Sequence, residues 1–295
     1  AASTYGGPTS VADGTLRYGV ANALPVTTAL TMTGGMVDLA GFNGTVASLA
    51  GTGTITSRVA SGTVTFTTGG DNTSTTFAGV ITQGAGSVLN LVKTGSGTMT
   101  LTGANSYAGR TSIQDGALVV AGIGSVNSGL PGPLGSPLTT ANGTIDLGFG
   151  TTTGTLIYTG TGETTDRPLN LGGTTGGGVV QNDGSGPLDF STYTNASAPG
   201  AKSLTLTGSY AGASTFTGVI GESNGFVPMG PVSLIKDGAS PSLTLLGGNA
   251  YTGSTIINTG TVMLPAASRF SIIPDRFGIV MANAAGVGLD LNGNA

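Results

Sequence analysis

Hydrophobic positions in this chain fall in short runs of period two. Threonine alternates with an aliphatic or aromatic residue over residues 53–55, 62–67 (GTVTFT), 97–102 (GTMTLT) and 203–207 (SLTLT). Alternation of β-branched residues at this period marks strands with one buried face. The runs are closed by tight-turn pairs such as Asp13-Gly14, Asn43-Gly44, Asp115-Gly116, Asn142-Gly143, Asp183-Gly184 and Asp237-Gly238. Many short strands with turns of this kind predict an all-β protein. Gly and Pro interrupt every stretch that could carry a helical period, so no helix is predicted.

The pattern also repeats. Residues 91–122 read LVKTGSGTMTLTGANSYAGRTSIQDGALVVAG, and residues 234–264 read LIKDGASPSLTLLGGNAYTGSTIINTGTVML. Aligned, Lys93 matches Lys236, Leu101 matches Leu245, Asn105 matches Asn249, Tyr107 matches Tyr251, and Gly109 matches Gly253; Ile113 falls against Ile256 or Ile257. A second shared phrase lies upstream of each, TFAGVI at 76–81 and TFTGVI at 215–220. The repeat phrases therefore span 76–122 and 215–264. A partial copy occupies 1–20, where Tyr5-Gly6-Gly7-Pro8-Thr9 and Asp13-Gly14-Thr15-Leu16 match the second half.

These residues resemble the autotransporter-associated β-strand repeat, also called the passenger-associated transport repeat. Its typical phrase is Lys-Thr-Gly-x-Gly-Thr-Leu-x-Leu-x-Gly-x-Asn-x-Tyr-x-Gly-x-Thr. The first copy departs at Arg110, and the second at Asp237 and in an insertion around Pro241, all compatible with surface turns. The resemblance implies a right-handed parallel β-helix from the passenger region of a secreted or surface-displayed bacterial protein. It places the chain outside the cell or on the bacterial surface, attached to the outer membrane through a region beyond this chain.

Composition leads to a solenoid independently. Charged residues make up 7% of the 295, against about 25% in ordinary soluble domains. In a β-helix, side chains of successive coils stack at about 4.8 Å, where like charges repel and Thr, Asn, Val, Ile and Leu stack well. At about 22 residues per coil, roughly 13 coils are expected at that spacing, forming one continuous solenoid over 1–295. Both ends fall inside modules: residues 288–293 resemble the module opening at 35–41. Without a helix or charge run to cap the stack, the chain reads as an interior fragment of a longer protein. The 55 Gly and 13 Pro point toward disorder, but a mean hydropathy of +0.27 and a net charge of −4 oppose it. The weak charge offers no basic patch for nucleic acid or anionic membrane, and no transmembrane helix is present.

The chain has no Cys and no His. That removes thiol and imidazole nucleophile systems and Cys- or His-ligated metals, and leaves carboxylates as the catalytic resource. The best candidates are Asp146, Glu163, Asp166, Asp183 and Asp189, spaced near one coil in several pairings. Two of them on one face would suit polysaccharide cleavage, which needs paired carboxylates about 5 to 10 Å apart. Asp146, Asp166 and Asp189 form the sharpest version, although Asp146 and Asp183 sit in turn contexts and Asp166 precedes Arg167, which favours turn chemistry. Asp183 and Asp189, within NDGSGPLD at 182–189, are the candidates for a metal, but the bidentate Glu that completes a calcium loop is missing. No cofactor is expected, and the Gly-rich tract at 172–178 lacks the Lys and helix of a phosphate loop.

Lys93, Asn105, Tyr107 and Gly109, with Lys236, Asn249, Tyr251 and Gly253, read as residues that fix the coil, the lysines at solvent-facing turns. The alternative for the Tyr and Asn pairs is sugar stacking. Protruding loops are expected at 122–140, 192–202 and 222–231, the last with Phe226 and Met229. The function expected from this reading is a noncatalytic structural or adhesive segment, with self-assembly into fibres or a coat as a variant. Its partners would be neighbouring repeats, like chains, or a host or matrix polysaccharide or protein. The alternative is a β-helical polysaccharide-binding or polysaccharide-cleaving domain.

Overall fold

The computed structural model describes residues 1–222, 230–265, 273 and 278–291. The chain divides into two units, Ala1–Ile145 and Asp146–Ala295. Both are parallel β-helices.

In the first unit a turn of chain lays down up to three strands, one on each of three faces. One such coil runs through Thr75–Phe77, Val80–Ile81 and Ser87–Lys93 before Thr98–Leu101 returns to the first face. The first face stacks Thr9–Val11, Ala29–Met32, Ser48–Gly51, Thr75–Phe77, Thr98–Leu101 and Gly116–Val120, joined by parallel pairings. Thr15–Arg17, Met36–Asp38, Thr54–Thr56 and Val80–Ile81 form the second, and Gly44–Thr45, Gly62–Thr68, Ser87–Lys93 and Thr111–Ile113 the third. The Thr-alternating runs behave as their pattern predicts: Val64 and Phe66 in Gly62–Thr68, and Met99 and Leu101 in Thr98–Leu101, are buried while the threonines between them are only half-buried. Inward side chains stack on their own kind, Leu30 on Leu49, Phe66 on Leu91, and Met99 on Leu118, so the core is a set of aliphatic and aromatic columns.

The second unit repeats the scheme. Its first face stacks Gly154–Tyr158, Gly178–Asn182, Lys202–Thr207, Val232–Lys236, Thr255–Ile257 and Ile279–Met281. Other faces carry Glu163–Thr165 on Leu188–Phe190, and Ser214–Phe216, Ser242–Leu245, Thr261–Met263 and Gly288–Asp290. Phe190 and Phe216 stack with centroids 6.2 Å apart and planes 25° from parallel.

Coil length is not uniform. In-register partners are 18 to 26 residues apart in the first unit and 19 to 30 in the second, the extremes being Met36 to Thr54 and Lys202 to Val232. The expected value near 22 falls inside both ranges, with the differences taken up at corners of different length. Among the described residues the single helical turn, Thr140–Gly143, is capped by the Thr139 hydroxyl, which accepts from the Asn142 N–H at 3.3 Å.

Two expected loops prove more structured. Within 122–140, Ile123 and Leu134 are buried, the Asn127 N–H donates to the Pro137 carbonyl, and Asn105 and Gly132 exchange backbone hydrogen bonds at 3.0 Å. Only its tips protrude: Leu130 is 71% exposed and Leu138 is 61% exposed. Within 192–202, Thr194–Ala196 is a strand paired to Leu169–Gly173. Thr194 and Ala196 are small enough to face the core, while Tyr193 stays exposed. Phe226 and Met229 lie outside the described residues.

Candidate functional site

The candidate carboxylates are divided between faces. Asp189, on Leu188–Phe190, stands in register with Thr164, and Asp166 lies just past the end of that neighbouring strand. Asp146 belongs to a different sheet, on Ile145–Gly150, where it accepts a 2.6 Å hydrogen bond from the Asn170 amide. The coil here is 24 to 25 residues long, so Asp146 meets Asn170 one coil on, and the trio is split between faces. Asp189 accepts from both the N–H (2.9 Å) and the hydroxyl of Thr217 in the next coil. Asp183 sits in its turn, accepting from Gln181 at 2.6 Å and the Ser209 N–H at 2.8 Å. Burial alone would raise its pKa, but the bonds from Gln181 and Ser209 outweigh it and hold the carboxyl below the usual range. That is the wrong direction for a general acid. Arg167, beside Asp166, is fully buried. Among the described residues no group of three or more Asp, Glu, His or Cys is placed to hold a metal, and no helix is long and apolar enough to cross a membrane.

What the structure does build is one corner, made twice. Each copy begins on a strand ending in lysine, Ser87–Lys93 or Val232–Lys236, which pairs with the strand one coil on, Thr111–Ile113 or Thr255–Ile257. The buried Asn105 accepts from the Ile81 N–H of the preceding coil at 2.8 Å; Asn249 accepts from the Ile220 N–H at the same distance. Asn105 also donates to the Pro133 carbonyl at 2.7 Å, which fastens the 122–140 loop to the corner. Tyr107 and Tyr251 are wholly buried, their hydroxyls 2.8 and 2.6 Å from those of Thr111 and Thr255. Burial pushes the Tyr251 phenol up to about 12, against the opposing bond to Thr255. Two residues on, Gly109 and Gly253 donate to the Leu89 and Val232 carbonyls at 3.0 and 2.9 Å. A Cβ at Gly109 would lie 2.2 Å from the Leu89 carbonyl oxygen, and one at Gly253 would lie 2.4 Å from that of Val232. Neither position has room for a side chain.

The lysines correct their sequence reading: they point inward. Lys93 and Lys236 are 1% and 2% exposed. The Lys93 ammonium donates to the carbonyls of Thr94 (2.8 Å), Gly95 (2.8 Å) and, one coil on, Asp115 (3.2 Å). Lys236 reproduces the cage with Asp237 (3.2 Å), Ser240 (2.8 Å) and Thr259 (3.2 Å). An ammonium has three N–H bonds and each finds a carbonyl. At a tight inner corner these carbonyls have no strand to pair with, and a lysine threaded from below satisfies turns of two coils at once. Burial pulls the Lys93 pKa down to about 8, against the attraction of Asp115 and Asp71. Lys236 is shifted down for the same reason, opposed by Asp237.

A further pair escaped the sequence reading. The Gln83 carbonyl oxygen accepts from the N–H groups of Leu89 (2.7 Å) and Ala108 (2.9 Å). Glu222, which follows TFTGVI as Gln83 follows TFAGVI, accepts from the N–H groups of Val232 (2.6 Å) and Thr252 and from the Thr252 hydroxyl (2.8 Å). Each clasps its own coil to the next. The available signal was the equal offset of two residues after the shared phrase.

Comparison with known proteins bears on the same residues. The passenger-associated-transport-repeat model matches residues 1–17, 91–120 and 234–264, the last two covering most of each corner. An autotransporter adhesin of Brucella suis biovar 1 (strain 1330), BmaC, is 35% identical over 216 residues, or 70% of this chain. The chain spans 6% of that relative's length. No solved structure matches. With the repeat model seated on corners that share one geometry, this chain is a passenger-associated-transport-repeat segment of the autotransporter type.

Proposed function

We propose that this chain is a noncatalytic, adhesive segment of a longer surface-exposed passenger. The observation that carries the reading is the use of its polar side chains. Lys93, Lys236, Asn105, Asn249, Gln83 and Glu222 are spent on backbone groups of their own and neighbouring coils, and Asp189 on Thr217. A molecule so organised presents shape and loops to a partner instead of a reactive cleft. The similarity to an adhesin supports contact with a host or matrix surface, with the Leu130 and Leu138 tips as the exposed apolar points.

The test is to display the segment on a non-adherent bacterium, score attachment to host cells and matrix-coated surfaces, and assay the purified chain for release of reducing ends from polysaccharides. The expected result is attachment above the empty display strain, reduced by Leu130→Ser with Leu138→Ser, and no reducing ends. Polysaccharide cleavage lost on Asp166→Asn or Asp189→Asn would overturn the proposal.

A further inference from the structure

The corner at residues 208–214 of the second unit differs from its counterpart at 69–75 in one respect. The first-copy sequence is GGDNTST, whose Asn72 and Asp71 accept from Ser96 and Thr73 and fill the turn. The second is GSYAGAS, in which Ala211, Gly212 and Ala213 bring almost no side-chain volume. Beneath it lies a cavity of about 50 Å³. Its inner wall is apolar, formed by Val180, Leu188, Phe190, Leu206, Phe216 and Leu243. Tyr210, Ser214 and Ser240, all half-buried, stand at its rim.

Several of the polar groups that line this space are engaged elsewhere, while the hydroxyls of Thr207, Tyr210 and Thr215 also border it. Lys236 spends its three N–H bonds on carbonyls. Asn182 donates to the Gly186 carbonyl and accepts from the Gly184 N–H. Ser240 lies within hydrogen-bond reach of Gly212, Ser242 and Ser214. A buried water needs two to four polar partners, which the inner wall of Val180, Leu188, Phe190, Leu206, Phe216 and Leu243 does not supply, so that part of the space suits an apolar guest. The volume is about a third of the 150 Å³ that holds a benzene ring, which leaves room for a short alkyl group and not for an aromatic one.

We propose that this cavity is a binding site for a small neutral apolar molecule, the size of a short-chain alcohol or hydrocarbon. Anions are excluded, because the Lys236 ammonium has no free N–H and the Asp237 carboxylate lies beside the site. The site is tested by methyl-region NMR of the whole chain with xenon, isobutanol, butyrate and benzene as probes. Xenon and isobutanol are expected to shift the methyl signals of Val180, Leu188, Leu206 and Leu243, with butyrate at least tenfold weaker. Leu206→Phe fills the space and is expected to abolish the shifts with the circular dichroism spectrum unchanged. Leu188→Ala enlarges it and is expected to admit benzene. Absence of shifts in the native chain, equal binding of butyrate, or shifts that survive in a folded Leu206→Phe protein would overturn the proposal. Should Leu206→Phe fail to fold, Leu188→Ala decides: benzene binding supports the site and its absence overturns it.

Discussion

Replacing Gly109 by Ala tests the account of the repeat corner directly. The added methyl would sit 2.2 Å from the Leu89 carbonyl oxygen and 2.3 Å from the Asn90 side-chain oxygen. Ordinary contact begins near 3.4 Å, so the two coils must part by about an ångström, in a close-packed interior that yields poorly. Overpacking of this kind costs about 1–3 kcal/mol, and weakening the Gly109 N–H bond to Leu89 adds about 1 kcal/mol. The expected loss is about 2–4 kcal/mol, with Gly253→Ala comparable because its Cβ meets Val232 and Ser233 oxygens at 2.4 and 2.5 Å. The control is Gly248→Ala, which has nothing within 4 Å and should be neutral or gain about 0.5 kcal/mol through the unfolded chain. Urea unfolding followed by far-ultraviolet circular dichroism measures all three. A Gly109→Ala protein within about 0.5 kcal/mol of the parent, or a Gly248→Ala protein equally damaged, would refute the close-approach explanation.

Other expectations follow from the same corner. Lys93→Met keeps the apolar stem, one atom shorter, and strips the donor from three carbonyls; it should cost about 2–4 kcal/mol in the same urea assay, offset in part by removing a buried charge. Glu222→Gln should lose no more than about 1 kcal/mol, since Gln83 performs the same clasp with an amide, whereas Glu222→Leu orphans two buried N–H groups and should lose about 2–4 kcal/mol. Stability should peak near pH 10. With Lys93 at about 8 in the folded state and about 10.4 when unfolded, the unfolded chain binds more protons between those values, so stability rises with pH. Tyr18 and Tyr251, at about 12 when folded and about 10 unfolded, reverse the slope above about pH 10. Urea midpoints from about pH 7 to 11.5 check this, and Lys93→Met should shallow the rising limb. Thermolysin, which cuts before exposed leucines, should first cleave at Leu130 and leave Leu134 intact, as mass spectrometry of early fragments will show.

The strands and the repeat were legible because both are local. Thr63, Thr65 and Thr67 alternate with Val64 and Phe66 whatever lies one coil away. What the sequence hid depends on the length of each coil. Asp146, Asp166 and Asp189 look like one column if every coil has about 22 residues, and separate once this stretch takes 24 to 25. Lysine reads as exposed because its usual cost of burial is high. Nothing near Lys93 in sequence announces that Asp115, one coil on, will turn a carbonyl toward its ammonium. The Gln83 and Glu222 clasps went unseen for a related reason: one is an amide, the other a carboxylate, and their N–H partners lie 6 to 30 residues away.

The chain has three lysines, Lys93, Lys202 and Lys236, and all three are buried with their ammonium groups on backbone carbonyls. Seen from outside, the folded surface carries no lysine handle. Proteases that select lysine find nothing to grip while the coils hold, and amine-specific cross-linkers or dyes have no lysine to react with. The cation that knits the corner together is thereby also withheld from attack, and its reactivity becomes a direct gauge of whether the coils have opened.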